Sequence, residues 1–147
     1  RGPPVAVLVP YRLATPLRVE QKSAVPLPPG NGTITDDAGR QNSAEVWGHS
    51  SEWRDYSGTL DGKHVGITVM CHPENFRPSW YHARDYGFLT ANPFGRAAFK
   101  QGEPSKVVVK PGESLRLRYG ILVYCDEAGA QPDHAAAYKD YLELAGE

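Results

Sequence analysis

Asp61-Gly62 sits between two alternating runs, Ser51–Ser57 and Val65–Cys71, inside the turn Leu60-Asp61-Gly62-Lys63. Asp-Gly takes the left-handed backbone of a tight two-residue turn, and a side-chain period of two is the mark of a strand with one covered face. These runs therefore predict an antiparallel hairpin, and a chain committed to a hairpin must find cover for its apolar side. Proline and glycine narrow what else can form. Thirteen prolines and 15 glycines are spread over 147 residues, which excludes long helices from most of the chain.

The same reading continues on both sides. Val5–Val9, bracketed by Pro4 and Pro10, predicts a strand near a sheet edge, because proline cannot donate into a ladder. Leu17–Gly32 is an irregular connection with one short strand at Arg18–Val19, Thr35–Arg40 is a turn, and Ala44–Trp47 is strand-like. Tyr86–Thr90 and Val107–Val109 predict further strands, and Lys110-Pro111-Gly112-Glu113 suits a type II turn. In Ser114–Tyr124, Leu115, Leu117, Tyr119, Ile121 and Val123 face one way and Arg116 and Arg118 the other, predicting one buried and one wetter face. A single helix is expected over 133–145, capped by Asp133, with Tyr138, Tyr141, Leu142 and Ala145 on one side. The fold class predicted is all-β: an antiparallel β-sandwich with one C-terminal helix, forming a single domain over 1–147.

Composition excludes several function classes. The net charge is −1, and Lys and Arg are scattered, so neither a nucleic-acid groove nor a basic membrane-binding face is expected. No apolar run reaches the ~18 residues needed to span a bilayer, and no secretory signal pattern is present; the expectation is a soluble, cytoplasmic protein. Cys71 and Cys125 lie in strand-like segments outside any CxxC pair, which favours buried free thiols over a thiolate zinc site.

The segment 45–95 carries the most specific patterns: W-x-D-Y-S-G at Trp53–Gly58, D-G-K at Asp61–Lys63, H-P-x-N at His72–Asn75 and W-x-H-x-R-D-Y-G at Trp80–Gly87. N-P-F-G at Asn92–Gly95 and P-G-E-S-L-R-x-R-Y at Pro111–Tyr119 follow in order. On these motifs the chain resembles a bacterial family labelled methane oxygenase PmoA. Members of that family are usually longer, so the resemblance implies a C-terminal half, one part of a larger β-supersandwich. It also implies that a missing N-terminal half, or further copies of the chain, are partners. Methane oxygenation needs a membrane-embedded, helix-rich machine, which this sequence cannot form, so a genuine methane monooxygenase is not expected. Relatives are often encoded near sugar dehydrogenases and isomerases, which implies a role with carbohydrates. The family tends to carry Asp before His-Pro; Cys71 stands there in this chain.

Polar and aromatic groups concentrated after a strand mark a candidate site. His72 and His82 are read as an acid–base pair near neutral pH, with Asp85 fixing a tautomer and Arg84 stabilising negative charge. They could instead bind a divalent metal with Glu52, Asp55 or Asp85, although no specific metal motif is present, or simply hold the loop through backbone hydrogen bonds. Arg84 could also clamp a carboxylate or phosphate, or pair with Glu52 or Asp55. Trp53, Trp80 and Tyr81 could form a platform for a sugar ring, against ordinary packing. Glu52, Asp55 and Asn75 complete the expected substrate-binding set, Asn92 reads as a turn residue, and His49, His64 and His134 read as solvated. The leading expectation is a carbohydrate-active or carbohydrate-binding protein working by lyase, hydrolase or isomerase-type proton transfer. A noncatalytic binding module and a structural or assembly subunit are the alternatives.

Overall fold

The computed structural model describes residues 11–12, 32–127 and 130–146, which form two antiparallel sheets packed face to face. One sheet is built from β2 (Thr33–Asp36), β3 (Trp53–Leu60), β4 (Lys63–Cys71) and β7 (Tyr119–Glu127), in that order across it. The other contains β1 (Tyr11–Arg12), β6 (Phe88–Asn92) and β5 (Trp80–Arg84). A short helix α1 (Asn42–Val46) joins β2 to β3, and α2 (His134–Ala145) follows β7.

The predicted hairpin is β3–β4, in register from Trp53 opposite Met70 to Leu60 opposite Lys63. Asp61 and Gly62 both have positive φ, 52° and 76°, which matches the right-handed twist of the flanking strands. The period of two then sorts residues between the sheets. Ile34, Tyr56 and Val69 meet Tyr81, Ala83 and Leu89 of the opposite sheet, with Val46 of α1 closing one end. Such burial, at roughly 1.5–3 kcal/mol per large apolar side chain, is the main force holding the two layers together.

Within that core lies an ion cluster. Arg54 is fully buried, and it donates from Nη2 to Asp36 Oδ2 at 2.8 Å and from Nη1 to the Val46 carbonyl at 2.8 Å. Its guanidinium carbon lies 4.6 Å from the centre of the Tyr81 ring. Arg40 Nε donates to the same Asp36 oxygen at 2.8 Å, and Asp36 Oδ1 accepts from the backbone of Ala38 and Arg40. The cluster thereby fixes the turn that follows β2.

Several expectations need correction. Ala44–Trp47 lies in and just after helix α1, whose first turn is satisfied by acids: Glu45 accepts from Gln41 N–H and Asp85 from Ser43 N–H. Trp80–Arg84, read as loop, is a strand; its His82 and Arg84 alternate outward under Trp47, just past helix α1, and His82 also meets Phe99. The strand expected at Tyr86–Thr90 starts at Phe88, after a turn. Val107–Val109 and Ser114–Arg118 form no strand, and Val108 is 79% exposed. β7 begins at Tyr119, and its sides are reversed from the expected ones: Ile121 and Val123 are 46% and 70% exposed, while Leu122 and Tyr124 are half-buried. The reason is positional, since β7 is outermost in its sheet among the described residues and its even-numbered side chains lie on the face that carries α2. Cys125 is exposed rather than buried; it pairs with Val65 while Cys71 pairs with Tyr119, so the two free thiols occupy opposite ends of one ladder. The Lys110–Glu113 turn forms with Gly112 at φ 86°, and the helix cap forms as expected, Asp133 accepting from Ala136 N–H at 3.0 Å. The strands expected at Val5–Val9 and Arg18–Val19 lie outside the described residues.

Candidate functional site

A cleft of about 310 Å³ opens where the end of β4, the turn after β2, the 50–52 segment and helix α2 converge. It is lined by Asp37, Ser50, Ser51, Glu52, Cys71, His72, Pro73, Pro78 and Tyr138. Its volume is at the lower end of ligand sites, which run from about 300 to 1,000 Å³. Asp37 and Glu52 are exposed on its rim, and Asp37 Oδ2 accepts from the Glu52 N–H at 3.0 Å, tying the two acidic walls together. His72 is 5% exposed, and its Nδ1 accepts from Glu74 N–H at 3.2 Å. That bond leaves Nε2 to carry the proton in the neutral ring, so His72 has a hydrogen-bond donor to offer there. Pro73 follows His72 and holds it extended, so the motif's proline has a geometric purpose.

Tyr138 reaches the cleft from α2 and donates to the Cys71 carbonyl at 3.1 Å. Burial, with the Glu52 charge adding to it, pushes its phenol up to about 12, so it stays protonated. One turn earlier on the same helix, His134 anchors α2 to the sheet. Thr68 Oγ1 donates its single proton to Asp55 Oδ1 at 2.8 Å, so its 3.2 Å contact with His134 Nδ1 has the imidazole as donor. His134 Nε2 then faces Asp55 Oδ2 at 3.9 Å, an oxygen that also accepts from Tyr124 Oη at 3.0 Å. Burial is the largest influence on Asp55 and pushes its pKa up, against the His134 charge and the hydrogen bonds that pull it down. Trp53 stacks on the His134 ring with centroids 4.8 Å apart. The chain of contacts runs from this cluster along α2 to the cleft wall.

The structure divides the residues expected from sequence. Glu52 and His72 line the cleft, whereas Trp53 and Asp55 sit beneath α2 in the anchor. Asn75 locks the chain entering β7, accepting from Arg118 N–H at 2.7 Å and donating to its carbonyl at 2.8 Å. Tyr81 is buried in the core against Arg54, and Trp80 is half-buried where β5 meets an isolated bridge to Ser50. His82 does not join His72. It projects from the outer face of the second sheet, boxed by Trp47, Phe88 and Phe99 at centroid distances of 6.3, 5.2 and 6.1 Å. Burial and then the Arg84 charge depress its pKa, and its Nε2 has no partner among the described residues. Arg84 covers Trp47, one wall of the His82 box, at 5.6 Å, and Asp85 accepts from Ser43 N–H at 3.0 Å, so Asp85 is committed to helix α1 rather than to the His82 ring. No ion pair joins Arg84 to Glu52 or Asp55 among the described residues. No group of three or more metal-ligating side chains comes together among them either.

Sequence reasoning missed Asp37, Ser50, Ser51 and Tyr138 in the cleft, and His134 in the anchor. Asp37 had a signal in the double acid of the Thr35–Arg40 turn; the others show none apart from their neighbours in space. Asn92 does accept from Phe94 N–H at 2.9 Å, as a turn residue should.

Residues 13–139 match the model of a family of unknown function, DUF6807. The chain belongs to the DUF6807 family. Every residue lining the cleft, from Asp37 to Tyr138, lies inside the matched stretch. The DUF6807 description carries no methane-oxygenase activity. Neither a curated protein nor a solved structure matches the chain. No described helix of this DUF6807 member is long and apolar enough to cross a membrane.

Proposed function

We propose that this DUF6807 chain binds a small carbohydrate or sugar derivative in the cleft, with His72 and Glu52 placed for acid–base work on it. The observation that carries the reading is the lining itself: two carboxylates, two serines, an imidazole and a phenol in one cleft of about 310 Å³. Carboxylates accept from paired hydroxyls, His72 donates, and the Tyr138 ring supplies an apolar wall of the kind a sugar face packs against. The resemblance to the PmoA-labelled family, whose members are often encoded near sugar-oxidising enzymes, points the same way. His82, Arg84 and Asp85 are assigned a structural part in this reading. The test is thermal unfolding against a panel of monosaccharides. A ligand at 100 times its Kd stabilises by about 2.7 kcal/mol, or roughly 5–11 °C for a domain of this size. The shift should vanish in His72→Ala; no shift with any sugar would end the carbohydrate reading.

A second reading, an assembly subunit, is favoured by the exposed apolar side of β7, where Ile121 and Val123 have no cover among the described residues. A concentration-dependent mass in sedimentation, abolished by Val123→Lys, would support it, and a monomer at all concentrations would oppose it.

A further inference from the structure

The cleft wall has two carboxylates and no lysine or arginine among its described residues, and this bears on the charge of what it holds. Neither Asp37 nor Glu52 forms an ion pair among the described residues. Three nearby arginines among the described residues are committed elsewhere. Arg40 donates to Asp36 and, at 3.1 Å, to the Ser50 carbonyl; Arg118 pairs with Glu74 and donates to the Ala145 carbonyl at 3.2 Å; Arg54 is buried between the sheets. Arg84, the residue that sequence suggested as an anion clamp, covers Trp47 instead. A second observation points to a ligand: Ser51 on the cleft wall is only 8% exposed, and its hydroxyl has no partner among the described residues. A buried hydroxyl left unpaired is costly unless something completes it.

We infer, resting on the carbohydrate reading, that the cleft takes uncharged or positively charged polyols, amino sugars foremost, and excludes sugar acids and sugar phosphates. Ionised carboxylates only accept hydrogen bonds, so the ligand facing Asp37 and Glu52 must bring donors. Hydroxyls and ammonium groups do so, and an ammonium adds charge assistance to each bond. A ligand carboxylate or phosphate brings acceptors of like charge to the same walls, and no cation among the described residues lines them to offset it.

The experiment is calorimetric titration of the whole chain with one pyranose in three charge states: glucose, glucosamine and glucuronic acid, repeated with the galacto and manno configurations. Within a configuration that binds, the amine should bind at least about tenfold more tightly than the acid, the size two half-exposed ion pairs supply. The gap should shrink with added salt and in Glu52→Gln, a change on an exposed side chain that leaves the fold intact. Glu52→Lys should move the preference toward the acid. An acid form binding as tightly as the amine, or a preference untouched by both variants, overturns the inference while leaving the carbohydrate site standing. Binding by no form in any configuration overturns the carbohydrate reading, and the inference with it.

Discussion

Replacing Arg54 by alanine removes a side chain that ties both sheets and the turn after β2 together. Three losses follow from its contacts: the 2.8 Å bond to Asp36, the 2.8 Å bond to the Val46 carbonyl and the guanidinium over Tyr81. Asp36 keeps Arg40 as a partner at 2.8 Å, so the stranded charge is softened but remains wholly buried. Breaking a buried pair from one side costs about 3–5 kcal/mol. At roughly 2–4 °C per kcal/mol for a chain of this length, the melting temperature should fall by about 6–20 °C. Urea unfolding followed by tryptophan fluorescence measures the loss directly. Acid behaviour provides an internal check. Burial pushes the Asp36 pKa up, but the hydrogen bonds from Arg40 and Arg54 and the Arg54 charge outweigh it and leave the carboxyl below its ordinary value. A depressed carboxylate contributes stability above the unfolded value of about 3.9 and loses it as pH falls through the folded value. Wild type should therefore weaken below pH ~4 more steeply than Arg54→Ala. A variant within about 1 kcal/mol of wild type would refute the view that this pair is buried and paired in solution.

Asp55→Asn should act in the opposite pH direction. Burial raises the Asp55 pKa, so its contribution is full below the unfolded value and is lost as pH rises through the folded one; the urea midpoint of the variant should therefore rise relative to wild type as pH climbs above the unfolded value of about 3.9. Gly66→Ala drives a Cβ into the Tyr124 phenol that bonds Asp55, and should cost about 1–3 kcal/mol by overpacking, read from the same midpoints. His82→Phe keeps a ring inside the Trp47, Phe88 and Phe99 box while removing an unpaired buried nitrogen. It should hold or raise stability and remove the loss expected below pH ~6.5 as the depressed imidazole is forced to protonate, with sugar binding untouched. Lost binding in that variant would return His82 to the site.

The hairpin, its Asp-Gly turn and the capped C-terminal helix were legible because each rests on neighbours in sequence: a period of two, a positive-φ pair, a carboxylate three residues before an N–H. The sides of β7 were not, because alternation fixes which residues share a face but not which face is covered. Helix α1 was hidden because its first turn is satisfied by Asp85, far along the chain. The site was half legible for the same reason. His72 follows from its strand end and proline, and Glu52 from its place before Trp53. Asp37 and Tyr138 join them only through the fold, while His82, ten residues from His72, is carried by β5 to the other sheet. Proximity in sequence exaggerated that cluster.

The most direct measurement of where the ligand sits is amide chemical-shift mapping of the 16.1 kDa chain during titration with a binding sugar. The account predicts shifts confined to the 50–52 segment, Cys71 to Glu74, Asp37 and the turn of α2 around Tyr138, with β5 and β6 unmoved. Shifts centred on His82, Arg84 and Thr90, with a silent cleft, would contradict it.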